Sequence, residues 1–172
     1  MEDSTQQPHL ALLDGSNLMF RAYFAMQRAA LTTPDGTPVG ALHGYLQIVR
    51  SSLQRVQPTH AVVAFDPKGG STMRTQLLPQ YKQNRLAMED DLACQWQHLP
   101  AINRALNLPH ICIDGFEADD IIATLTREAK QRGWRISIIS SDKDLMQLVG
   151  GDTIQIDPGS GREYDSAAVN EK

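Results

Sequence analysis

Cysteine is nearly missing from this chain: there are two, Cys94 and Cys112, in 172 residues, and they form no C-x-x-C pair. That excludes a disulfide-built secreted scaffold and a cysteine-based zinc site. Both lie in segments patterned as a helix or a strand, so each reads as an ordinary interior residue. The five histidines, His9, His43, His60, His98 and His110, are scattered without metal-ligand spacing, which argues against histidine-held zinc. Long apolar runs are lacking, and the polar stretch Met1 to His9 has no apolar core of the kind a signal peptide needs. A flexible N-terminus over 1–9, a cytoplasmic location and no membrane partner are therefore expected. Low-complexity tracts and internal repeats are also missing. With 41% hydrophobic and 21% charged residues, the chain reads as one folded domain over 10–172 rather than a disordered segment.

What is present is alternation. Five short apolar runs rich in β-branched residues read as buried strands: Leu10 to Leu13, Ala61 to Phe65, His110 to Ile113, Ile136 to Ser140, and Thr153 to Ile156. Helical patterns lie between them, at about 17–30, 39–56, 90–106, 118–132 and 143–149. This order predicts an α/β fold with a mostly parallel central sheet and helices on both faces. In such sheets ligands bind beyond the carboxyl ends of the strands. Acids gather there. Asp14 ends the first run, Asp66 ends the second, Glu117, Asp119 and Asp120 follow the third, and Asp142 and Asp144 follow the fourth.

Each acid has a bland explanation, because aspartate at a strand end commonly caps the next helix or closes a turn. Asp142 could cap its helix, Asp14 could close onto Gly15, and a first-turn cluster such as Glu117-Ala118-Asp119-Asp120 suits any helix N-terminus. Seven acids on one rim are harder to explain so. Crowded like charges raise one another's pKa and destabilise the fold unless a cation compensates, and a hard divalent metal with oxygen ligands does that. Net charge of −4 argues at first against a nucleic-acid partner, but setting those seven aside leaves 16 basic against 13 acidic residues. The segment from Lys68 to Met88 breaks the alternation; it carries Lys68, Arg74, Lys82 and Arg85 and no acid, as suits a polyanion passing between it and the acidic rim.

These motifs, in the order Leu13-Asp14-Gly15-Ser16, Phe65-Asp66-Pro67-Lys68, Arg74, Tyr81-Lys82, Arg85, Gly115-Phe116-Glu117-Ala118-Asp119-Asp120 and Ser141-Asp142-Lys143-Asp144-Leu145, resemble the 5′ nuclease family. The similarity runs from Leu10 to Lys172 and is of the bacterial DNA polymerase I type. The resemblance implies a PIN-like fold plus a basic helical arch at about 68–92. It implies that Asp14, Asp66, Glu117, Asp119, Asp120, Asp142 and Asp144 bind two Mg²⁺ or Mn²⁺ ions, with Asp14, Asp66, Asp119, Lys82 and Arg85 acting in catalysis. Arg21, Lys68, Arg74, Tyr81, Lys82 and Arg85 would then bind DNA.

The function so implied is a 5′-3′ exonuclease and 5′-flap endonuclease of bacterial replication and repair, nucleoid-associated and monomeric, acting on flaps, nicks or free 5′ ends. The family normally continues into two further aspartates and a helix-hairpin-helix module, whereas this sequence stops at Asn170-Glu171-Lys172, as expected of a truncated or minimal domain. A PIN-type ribonuclease and a catalytically incomplete DNA-binding scaffold are the alternatives. A haloacid-dehalogenase phosphatase is disfavoured because Gly15-Ser16 follows Asp14, without a second aspartate two positions on. The Tyr23, Phe24 and Met26 cluster reads as core.

Overall fold

The structure, a computed structural model, describes residues 7–67 and 88–170. Within them a six-stranded sheet has the order β3-β2-β1-β4-β5-β6. The strands are β1 (His9–Asp14), β2 (His60–Phe65), β3 (His110–Cys112), β4 (Arg135–Ile139), β5 (Thr153–Ile156) and β6 (Glu163–Tyr164). The first five are parallel and β6 returns antiparallel along β5, so the expected mostly parallel sheet is present.

Alternation of side chains divides the core. Ala11, Leu13, Val63, Phe65, Ile139 and Ile156 face one side, under α1 (Gly15–Met26), α2 (Gly40–Val56), α3 (Asp90–Trp96) and α4 (Leu99–Ala105). Leu12, Ala64, Ile136 and Ile138 face the other, under α5 (Ala118–Gln131). Removing these side chains from water supplies the main drive for the three layers, as apolar burial does at roughly 25 cal/mol per Å².

The remaining local rules are visible too. Val39 at the head of α2 makes no side-chain cap, and Gln95 Oε1 instead accepts the N–H groups of Ala41 and Leu42 at 2.9 and 3.3 Å. The helix expected over about 90–106 is two helices, because Pro100 sits in the first turn of α4 and cannot continue α3. The segment expected as a helix at 143–149 is a 3-10 turn, Asp144–Leu148. A short α6 (Ser166–Asn170) closes the described chain, capped by Asp165, whose Oδ1 accepts Ala168 N–H at 2.9 Å.

Three sequence expectations are corrected. Phe24 is 63% exposed rather than core, since it lies on the outer face of α1, while its neighbour Tyr23 is buried. Cys112 is exposed because β3 is an edge strand only three residues long, and Cys94 is half-buried. His9 is not part of a loose tail; it opens β1 opposite Arg135 and its Nε2 meets Ser137 Oγ at 2.9 Å.

Candidate functional site

The register aligns the parallel strands so that their carboxyl ends form one edge: Leu13 lies between Val63 and Ile139, and Ile139 lies beside Ile156. Asp14 is the centre of that edge. It is the N-cap of α1, with Oδ1 accepting Asn17 N–H at 3.1 Å, and its Oδ2 accepts Ser140 Oγ–H at 2.8 Å across the β1-β4 boundary. The capping role open to Asp14 in the sequence is therefore real. The carboxyl is nonetheless only 4% exposed, and burial above all lifts its pKa from 3.8 to about 7. The bonds from Asn17 and Ser140 oppose that rise, and the charges of Asp119 and Asp66 add to it. Two acids at strand ends and one in the first turn of α5 thus share one electric field.

Asp66, just past β2, is held at both its main chain and its side chain. Its N–H donates to Ser16 Oγ at 2.9 Å, and its Oδ1 accepts Ala118 N–H, at the start of α5, also at 2.9 Å. Glu117 is the buried N-cap of α5, 2% exposed, and Asp120 Oδ2 accepts its N–H at 3.0 Å. Beyond β4, Asp142 Oδ1 accepts Asp144 N–H at 2.9 Å, and Gln155 Nε2 grips the carbonyls of Ser140 and Asp142 at 2.9 and 2.6 Å. Asp119, Asp120, Lys143, Asp144 and Gln147 line an open cavity of about 500 Å³ between α5 and the 3-10 turn.

All seven predicted acids therefore stand on one rim, with Asp14, Asp66 and Asp119 electrostatically linked and Asp119, Asp120 and Asp144 around one cavity. Closure is incomplete: among the described residues no three acidic side chains stand together closely enough to hold one ion. Asp120 and Asp142 instead have oxygens turned onto backbone N–H groups. The donor set itself fits a hard divalent cation, being all carboxylate oxygen around a buried acid whose hydrogen-bond partners among the described residues, Asn17 and Ser140, are uncharged.

Arg21 stands 3.8 Å from Asp157, which follows the carboxyl end of β5. Lys68, Arg74, Tyr81, Lys82 and Arg85 lie outside the described residues. Sequence reading missed Asn17, Ser140 and Gln155, which hold the acids, and gave Ser16 no role. Asn17 Oδ1 accepts both the N–H and the hydroxyl of Ser141, at 3.2 and 2.9 Å, tying α1 to the end of β4.

Residues 9–172 match the family described as the 5′-3′ exonuclease, N-terminal resolvase-like domain. The chain belongs to this family. Among curated relatives it is 40% identical over 166 residues to DNA polymerase I of Pseudomonas aeruginosa, covering 96% of this chain and 18% of the polymerase. It is 33% identical over 163 residues to a 5′-3′ exonuclease of Aquifex aeolicus, covering 95% of this chain and 55% of that protein. The chain thus spans under a fifth of the polymerase and about half of the exonuclease. The fold is that of the phage T5 flap endonuclease in a pseudo-enzyme-product complex with DNA and metal ions, with a TM-score of 0.73, 24% identity, and 95% and 60% of the two chains covered. The zinc-bound T5 5′-exonuclease aligns with a TM-score of 0.70 at 24% identity, covering 91% of this chain and 58% of its own. As the motif order implied, the family is that of the 5′ nucleases. No helix among the described residues is long and apolar enough to cross a membrane.

Proposed function

We propose that this chain is the catalytic domain of a divalent-metal-dependent 5′-3′ exonuclease and 5′-flap endonuclease that hydrolyses phosphodiester bonds in DNA during bacterial replication and repair. The observation that carries the reading is Asp14: a buried carboxyl at the centre of the sheet edge, with a pKa near 7 and the charges of Asp66 and Asp119 beside it. Burial and neighbouring acids make ionised Asp14 costly, a bound cation relieves that cost, and metal binding to carboxylates is coupled to proton release. Membership of the family and its T5 structural relatives support the same reading.

Asp14, Asp66 and Asp119 would hold one Mg²⁺ or Mn²⁺, and Glu117, Asp120, Asp142 and Asp144 would complete the ligand set around two. When bound, the ions lower the pKa of a coordinated water and stabilise charge on the attacking and leaving oxygens of the phosphate. The protein's own part is positional. Ser140 and Asn17 fix the two oxygens of Asp14, Ser16 and Ala118 fix Asp66, and Gln155 fixes the turn that carries Asp142. Asp120 and Asp142, each with one oxygen on a backbone N–H, would turn toward the ions to complete the set. Lys82 and Arg85 would neutralise charge on the scissile phosphate, and Lys68, Arg74 and Tyr81 would guide the single-stranded 5′ end. A monomer suffices, since the chain supplies every group named.

Labelled 5′-flap DNA is the test, with Mg²⁺ or Mn²⁺ and with EDTA, against Asp119→Ala and Asp120→Ala. The expected result is metal-dependent release of short 5′ products by the wild type, lowered at least a hundredfold in both variants. Equal cleavage by all three proteins overturns the assignment. Preferential cleavage of single-stranded RNA moves it to a PIN-type ribonuclease, and DNA binding without cleavage moves it to a scaffold.

A further inference from the structure

The motif Ser141-Asp142-Lys143-Asp144 carries one cation into the acidic rim, and the metal-binding scheme gives it no role. Lys143 lines the cavity of about 500 Å³ together with Asp119, Asp120 and Asp144. Its main chain is held on both sides. Asp142 Oδ1 accepts Asp144 N–H at 2.9 Å and so closes a turn around it, Gln155 Nε2 holds the preceding carbonyl, that of Asp142, at 2.6 Å, and Lys143 O itself accepts Met146 N–H at 3.0 Å. The ammonium, in contrast, makes no hydrogen bond or ion pair among the described residues. Lys130, the other lysine among them, donates from Nζ to Leu148 O at 2.7 Å and pins the far end of the 3-10 turn to α5. Both walls of the cavity are therefore tied together, and the lysine at its acidic end is left with its three N–H donors unspent.

Local stability does not call for a lysine at 143. The position is the N-cap of the 3-10 turn, where Ser, Thr, Asp or Asn would satisfy an open N–H and where the backbone dipoles favour negative charge. The residue is exposed, so its stem covers no core. Attraction to the neighbouring acids suits its sign, yet it closes onto none of them. Once those acids are neutralised by divalent ions, a phosphodiester strand can approach the rim, and Lys143 is the lining group of the cavity that attracts it. An ammonium on a flexible stem meets phosphate as a point charge, without the fixed approach that a guanidinium fork needs.

We infer that Lys143 binds a phosphodiester of the substrate strand next to the scissile one, at the mouth of the cavity between α5 and the 3-10 turn. The inference rests on the proposed nuclease reading and adds to it a phosphate-binding residue inside the acidic motif itself. The contact is with the backbone, so it carries no preference for base sequence.

Flap DNA with a single uncharged methylphosphonate, moved one linkage at a time across the cleavage point, tests the contact with the full chain in Mg²⁺. On unmodified DNA, Lys143→Gln is expected to lose about tenfold in kcat/KM, with the loss falling on KM rather than kcat, and Lys143→Arg to recover most of it. At one linkage beside the scissile phosphate, the methylphosphonate should cost the wild type about the same tenfold and cost Lys143→Gln nothing further, which is the signature of a direct pair in a double-replacement cycle. A lysine that only offsets its acidic neighbours gives another pattern: Lys143→Gln lowers the Mg²⁺ concentration needed for half-maximal cleavage, and every methylphosphonate costs both proteins equally. That pattern overturns the contact and leaves the nuclease reading standing. A wild type that cleaves no flap DNA in Mg²⁺ or Mn²⁺ overturns both.

Discussion

Asp66 Oδ1 accepts the N–H of Ala118 at 2.9 Å across 52 residues of chain, so the acid at the end of β2 also closes the head of α5. The carboxylate thus has a structural role beside the metal-binding one proposed for it, and its two oxygens make the roles separable.

Replacing Asp66 should therefore split fold from reaction. Asp66→Ala leaves the buried Ala118 N–H without its acceptor and is expected to cost about 1–2 kcal/mol in urea unfolding. Asp66→Asn keeps an acceptor oxygen and should stay within about 0.5 kcal/mol of wild type while cleaving flap DNA at least a hundredfold more slowly. If the asparagine variant retains full cleavage, Asp66 is only a helix cap.

Metal-free stability should fall as pH rises from about 4 to 7. Asp14 is the cause: burial and neighbouring acids raise its pKa in the folded state from 3.8 to about 7, so the native state binds the proton more tightly than the unfolded chain does. The stabilisation is complete below pH 3.8 and is lost as pH climbs through about 7, at most about 4 kcal/mol. His9, whose pKa is lowered by burial and Arg135, works in the opposite sense, removing stability below about pH 6.5. Urea unfolding of wild type and Asp14→Asn in EDTA separates them, because only the Asp14 component disappears in the variant. Parallel pH curves for the two proteins would refute the assignment.

Ser140 is completely buried, donates to Asp14 and accepts Asp142 N–H at 3.0 Å. Its hydroxyl favours ionised Asp14. Ser140→Ala should therefore raise the pKa of Asp14 further and move the rising limb of the kcat/KM profile to higher pH, with activity partly regained in alkaline buffer. A structural role alone would lower activity equally at every pH.

The strand ends were legible because the runs are short, β-branched and closed by acids, and a parallel sheet puts such ends on one edge. The bland roles were legible as well: Asp14 and Asp142 do satisfy local N–H groups. The supports were not. Ser16 meets Asp66 over 50 residues, and Asn17 meets Ser141 over 124, and small polar residues carry no periodic signal for such distances. The exposure of Phe24 was hidden because the apolar stripe of α1 also includes truly buried Leu18, Met19 and Ala22, and only packing tells the two edges of a stripe apart. The break between α3 and α4 had a visible cause in Pro100.

Gln155 holds the Asp142 turn through main-chain oxygens, which every amino acid possesses. Much of the hold on that turn is consequently independent of the side chain at 142, whose Oδ1 adds one bond to Asp144 N–H. On the metal-binding role proposed for Asp142, a lineage that sheds the acid keeps the Gln155 hold on the turn while losing a ligand, so silence in an assay would not by itself mean a collapsed protein.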